Sequence, residues 1–176
     1  MIVLSRRKNE SIVIAGQATV VGEVADQVDG PFRIVVPVGG GGLAAGTALG
    51  APRRAMVVGV EARASRVVSA AMRAGRIVAV TVGSTIADGL AGNVAPDTVT
   101  PDILSRYGVR MTDADEPAIH AAVRELALSH GIVAEGSAAV GIAAAAGGNI
   151  PADRPAVFVI TGRNIAADRL AGLLAE

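Results

Sequence analysis

Val35-Val36-Pro37-Val38-Gly39-Gly40-Gly41-Gly42-Leu43 sets four consecutive glycines between an apolar, β-branched run and the helix-forming residues 44–49. Ordering four glycines costs more backbone entropy than a change of direction needs, since one or two would turn the chain. The excess points to something that approaches the main chain closely. A strand, a bare turn and a helix in succession also form a ready anion site. Several N–H groups converge there with the positive end of the helix dipole, so no basic side chain is required. No Lys or Arg lies between Pro37 and Ala51. The alternative is a tight turn that packs helix closely on strand.

Outward from this loop, strand and helix patterns alternate. Residues 33–38, 56–61 and 156–160 are short apolar runs that read as buried strands, with 109–111 a shorter one and 77–82 again apolar and branched. Helical spacing marks 17–28, closed by Asp29-Gly30-Pro31, and 165–174. Residues 136–146 form an alanine-rich helix. Ser65 is a candidate cap for a helix ending at Ala74, and Thr112-Asp113-Ala114-Asp115-Glu116 offers caps to a helix carrying Ile119, Val123 and Leu126. Residues 2–4 and 11–14 read as a short hairpin about a polar turn. The expected fold is a three-layer α/β/α domain over 15–176, with a mostly parallel sheet joined by right-handed crossovers, preceded by the short segment 1–14. In such a sheet ligands sit outside the carboxyl ends of the strands, where the glycines fall.

Composition narrows the chemistry. The 176 residues are 51% hydrophobic, and sixteen basic residues balance sixteen acidic ones, so no global field favours nucleic acid or an anionic membrane. Phe32, Tyr107 and Phe158 are the only aromatics, too few for a base-stacking platform. The chain has no cysteine, and its two histidines, His120 and His130, are a poor metal set. The apolar run 138–146 is far below the roughly 18 residues of a membrane span. A soluble cytoplasmic protein is expected.

Two ligand readings of the loop arise. Gly40, Gly42 and Ala45 satisfy G-x-G-x-x-A, with Glu61 ending the next strand where an acid would meet a ribose hydroxyl, which suggests a dinucleotide site. A more specific pattern uses several motifs in order: Pro37-Val-Gly-Gly-Gly-Gly-Leu43, Val58-Gly-Val-Glu61, Thr85-Ile-Ala-Asp-Gly-Leu90, Ile132-Val-Ala-Glu-Gly-Ser137 and Thr161-Gly-Arg-Asn164. From about Val13 onward the chain resembles the C-terminal half of threonine and serine dehydratases, pyridoxal-phosphate enzymes of fold type II. The resemblance implies that Gly39, Gly40, Gly41, Gly42 and Leu43 cradle the phosphate of pyridoxal phosphate. It places Thr161 beside the pyridine nitrogen, where a neutral hydroxyl tunes the ring as an electron sink. Glu135 matches an acid near the ring, or else serves as a first-turn helix acid. Asn164 shapes the loop after the last strand, or caps a helix. Glu61 matches one carboxylate of a cation site, but the acid expected a few residues later is missing, so no metal is assigned. The substrate implied is a small amino acid.

That family's lysine motif, Ser-x-Lys, and its Ser-Gly-Asn-His segment do not occur here. The only lysine, Lys8, stands in the polar stretch Ser5-Arg-Arg-Lys-Asn-Glu10. An amine is needed to hold the cofactor's aldehyde and carry the α-proton, so no catalytic residue is assigned and the expected state is a homo-oligomer or a complex with a chain supplying the missing half. Residues 1–14 are similar to the opening strands of the carbon storage regulator family, which implies RNA contact through Leu4, Arg6 and Arg7. Two arginines alone would bind phosphate weakly and in a salt-sensitive way.

Overall fold

The central strand is the one that precedes the glycines. In the computed structural model, which describes residues 2–5 and 14–175, β2 (Phe32–Pro37) is buried along its whole length and hydrogen-bonded on both sides. A strand covered on both faces needs apolar side chains at every position rather than at alternate ones, which is why Ile34, Val35 and Val36 follow one another. Ile34 and Val36 face one layer, and Val35 faces the other.

The remaining elements run β1 (Ile2–Ser5), α1 (Ile14–Gln27), then after β2, α2 (Gly42–Gly50), β3 (Ala55–Ala62), α3 (Val67–Ala74), a 3-10 turn at Asp88–Leu90, α4 (Thr100–Arg106), β4 (Arg110–Ala114), α5 (Glu116–His130), α6 (Gly136–Ala146), β5 (Ala156–Ile160) and α7 (Ala167–Ala175). The sheet order is β1-β5-β2-β3-β4, and each of its ladders is parallel. Val21, Val24, Ala44, Val67, Val68 and Leu104 bring α1 to α4 onto one face. Ile119, Val123, Leu126, Val140 and Leu173 bring α5 to α7 onto the other. The three-layer α/β/α expectation is met.

The topology fixes where a ligand can sit. From β2 the chain steps outward through β3 to β4, then returns by α5 and α6 to place β5 on the opposite side of β2. The loops leaving β2 and β5 therefore diverge above adjacent strands, which opens a crevice at their carboxyl ends.

Local differences from the sequence expectations have physical causes. β1 takes β5 as a parallel neighbour, with Ile2 opposite Val157 and Ser5 opposite Ile160, a pairing beyond the hairpin expected of it with 11–14. That partner lies outside the described residues except for Ile14, which opens α1. Residues 77–82 join no strand. The Val80 amide donates to Asn93 Oδ1 at 2.9 Å and its carbonyl accepts from Asn93 Nδ2 at 3.1 Å, so one side-chain amide takes the place of a strand neighbour. Ser65 is buried but does not cap α3; its Oγ accepts from the Gly92 amide at 3.2 Å. Asp115 does cap α5, accepting from the Ala118 amide at 3.0 Å. Among the described residues no helix is long and apolar enough to cross a membrane.

Candidate functional site

After β2, the Val38 amide still donates to the Val60 carbonyl at 2.8 Å, and the four glycines begin where this ladder ends. They divide into two pairs. A Cβ on Gly39 would lie 3.2 Å from the Gly89 carbonyl oxygen and from Leu90 Cα, and one on Gly41 would lie 2.9 Å from Thr100 Oγ1. Gly41 also has φ +86, a left-handed conformation that disfavours any side chain. Packing within the chain accounts for these two. Gly40 and Gly42, by contrast, are exposed, and a Cβ on either would meet nothing within 4 Å. Their bareness leaves main chain open to approach from outside.

That main chain is a donor surface. Gly41 is the N-cap of α2, but no side chain caps the helix, so its first amides keep their hydrogen-bonding capacity. A cleft of about 250 Å³ lies against Gly39 and Gly40, walled by Gly89, Leu90, Asn93 and Thr98. Leu43 is half-buried and packs into the layer of α1 to α4, anchoring the start of α2. A phosphate monoester matches such a donor set, since amides and a helix dipole supply what an anion needs without a cation.

The second group of expected residues gathers at the exit of β5. Glu135 occupies the N-cap position of α6, yet its side chain makes no cap bond. It turns instead to the β5 loop, where Oε2 accepts from the Asn164 amide at 2.9 Å, while the Glu135 amide donates to the Gly162 carbonyl at 3.2 Å. A side chain at Gly162 would collide with this carboxylate, which explains the glycine. The first-turn helix role for Glu135 and the cap role for Asn164 are thus replaced by one Glu135–Gly162–Asn164 cluster. Thr161 is half-buried immediately after β5. Glu135 and Asn164 line a cleft of about 330 Å³ with Ile86, Asp88, Gly136 and Arg169.

The two clefts share a wall, residues 85–90. Gly39 presses on Gly89 and Leu90, Gly89 on Ser137, and Gly136 on the Ile86 carbonyl, so close that a Cβ on Gly136 would sit 2.5 Å from that oxygen. Glu116 holds the wall from behind, accepting from the Ile86 amide at 2.5 Å. Of the residues that shape the clefts, Thr98, Thr100 and Asn93 give no signal in the sequence, and Glu116 reads there only as a residue of a helix start. Polar residues at a helix start or in a loop carry no signal of what they reach.

Glu61 does not serve the loop. It is fully buried beneath α3, where its carboxylate accepts from the Val68 amide at 2.7 Å and from the Ser69 amide and hydroxyl. Burial pushes its pKa above the ordinary 4.5, against the lowering effect of those hydrogen bonds and of Arg66. A carboxylate sealed in this way cannot meet a ribose, which removes the acid from the dinucleotide reading. Among the described residues no cluster of three or more metal-ligating side chains forms.

A parallel sheet covered on both faces, with a glycine loop and a second polar loop at its switch point, has the architecture of doubly wound α/β folds that take ligands at the carboxyl ends of their strands. The chain belongs to the pyridoxal-phosphate dependent enzyme family, which matches residues 2–162. It is 33% identical over 160 residues to L-threonine ammonia-lyase of Thermotoga maritima, covering 89% of this chain and 40% of that one. It is 36% identical over 157 residues to the biosynthetic L-threonine dehydratase of Mycobacterium bovis, covering 86% and 36%. Among solved structures, a threonine deaminase from T.th. superposes with a TM-score of 0.76 at 29% identity over 87% of this chain and 58% of that one. Maize serine racemase gives 0.80 at 25% identity over 97% and 54%. The chain thus spans less than half the length of these curated relatives. The family match takes in the opening segment from residue 2. Arg6 and Arg7, the RNA-contact expectation, lie outside the described residues.

Proposed function

We propose that this chain is the phosphate-gripping half of a threonine or serine dehydratase-like enzyme, with Gly39 to Gly42 and the first amides of α2 holding the cofactor's phosphate. The observation that carries the reading is the open side of Gly40 and Gly42 beside an uncapped helix start at the switch point of the sheet. Pyridoxal phosphate supplies, when bound, an electron sink for the α-carbon of an amino acid. The chain's own residues bind and orient. The glycine amides and the α2 dipole fix the ester end. Thr161 would offer a neutral hydroxyl to the ring nitrogen, and Glu135, tied down by the Asn164 amide, would hold the β5 loop as one side of the ring site. The relatives' names point to threonine or serine as the substrate class. The amine that the reaction needs comes from a stretch corresponding to the part of the relatives that this chain does not span, in the same or a second polypeptide. The chain self-associates or takes that partner.

Equilibrium dialysis tests the reading. Pyridoxal phosphate is expected to bind saturably and to be displaced by inorganic phosphate, whereas pyridoxal, which lacks the ester, is expected to bind at least about tenfold more weakly, equivalent to 1.4 kcal/mol. Equal retention of the two compounds would refute the phosphate cradle.

A further inference from the structure

Thr100 has no role in the reading above, yet its hydroxyl donates to the Gly40 carbonyl at 2.6 Å, across sixty residues of sequence. Its own oxygen lies 3.3 Å from Thr98 Oγ1, so the two hydroxyls form a short chain ending on the glycine loop. Thr98 also lines the cleft against Gly39 and Gly40. The Thr100 side chain fills the space where a Gly41 Cβ would be, with Oγ1 at 2.9 Å and Cβ at 3.0 Å from that point.

The peptide that joins Gly40 to Gly41 is planar and trans, so its carbonyl and its N–H point in opposite directions. Whatever fixes the Gly40 carbonyl therefore also aims the Gly41 amide. A link between two glycines has little preference of its own, because each tolerates positive and negative φ about equally. Free of an external hold, the peptide could turn its acceptor oxygen toward an anion and repel it. With the carbonyl bonded on the α4 side, the Gly41 N–H faces away from α4.

We propose that Thr100, backed by Thr98, is a positioning residue that locks the Gly40–Gly41 peptide in the orientation that presents its amide to a phosphate monoester. The inference rests on the phosphate-cradle reading, and it adds a side-chain determinant to a site otherwise made of main chain. Thr100→Val keeps the shape and removes the hydroxyl. Thr100→Ser keeps the hydroxyl and removes a methyl.

The experiment measures pyridoxal phosphate and inorganic phosphate binding by dialysis, together with the Gly41 amide resonance in the ligand-free protein. Thr100→Val is expected to weaken both ligands about tenfold, the scale of one lost hydrogen bond, and to move the Gly41 resonance. Thr100→Ser is expected to stay within about twofold of the unmodified chain on that scale, with the resonance in place. Thr98→Val, which removes only the second hydroxyl, is expected to shift binding in the same direction by less, and it decides the matter should Thr100→Val fail to fold. Unchanged binding and an unmoved Gly41 resonance in a folded Thr100→Val protein would overturn the proposal, as would equal losses in the Val and Ser variants. If the unmodified chain bound neither ligand, the cradle reading would fall, while the Gly41 resonance would still show whether Thr100 sets that peptide.

Discussion

Replacing Gly136 with alanine is expected to destabilise the protein by about 3 kcal/mol, the upper end of the range for overpacking. The new Cβ would lie 2.5 Å from the Ile86 carbonyl oxygen and 2.7 Å from its carbon. Both are main-chain atoms held by the Glu116 bond to the Ile86 amide, so no side chain can swing aside. Helix propensity works the other way, favouring alanine by up to about 1 kcal/mol, and the collision outweighs it. Gly172→Ala in α7 is the control, since nothing lies within 4 Å of its added Cβ, and it should be neutral or slightly stabilising. Urea denaturation of the two variants makes the comparison. Because Gly89 and Leu90 in the same wall press on Gly39, a displaced wall should also abolish pyridoxal phosphate binding. A Gly136→Ala protein as stable as the Gly172→Ala protein would show that the wall is not tightly packed.

The second large effect belongs to Glu61. Glu61→Ala strips the Val68 amide and the Ser69 amide and hydroxyl of their acceptor at the start of α3, at about 1–3 kcal/mol for the buried Val68 amide and less for each of the part-buried Ser69 groups. Release from burying a carboxyl offsets part of this, leaving a net loss of about 2–4 kcal/mol. The same residue predicts a pH dependence. Its folded pKa is raised above 4.5 by burial, so the folded state holds the proton more tightly than the unfolded chain does. The stability it contributes is complete below that ordinary value and declines as pH rises through the folded one. Glu61→Gln removes this titration while keeping one acceptor oxygen. The stability difference between Gln and parent should therefore widen in favour of Gln as pH rises from 4.5 toward neutrality. A difference independent of pH would contradict the assignment. Asp153 runs the other way. Its pKa is lowered by the bond from Arg33, so its contribution disappears as pH falls through the folded value.

These residues also show what the sequence could disclose. β2 and its loop were legible because an unbroken apolar run followed by bare glycines has few structural interpretations, and Val35 and Val36 could satisfy that pattern only between two layers. The strand at Ile2–Ser5 was legible, but its neighbour was not, since apolar alternation sets which face a strand buries without naming the strand beside it. Glu61 was misread because an acid at a strand end looks alike whether it meets a ligand or two amides seven and eight residues later. The apolar run 77–82 imitates a strand in composition, and only tertiary structure shows that Asn93 occupies the place of its partner. Glu135 stands out in the sequence as an acid just before a helix, while its bond to the Asn164 amide depends on how two distant loops converge.

The central claim is that open main-chain amides at the exit of β2 hold a phosphate ester. Its most direct test is titration of the isotopically labelled chain with pyridoxal phosphate, following amide resonances residue by residue. The account predicts saturable shifts concentrated at Gly39 to Gly42 and the first turn of α2, reproduced by inorganic phosphate and absent with pyridoxal. Saturable binding that left those glycines unmoved, with the shifts lying elsewhere on the sheet, would contradict it.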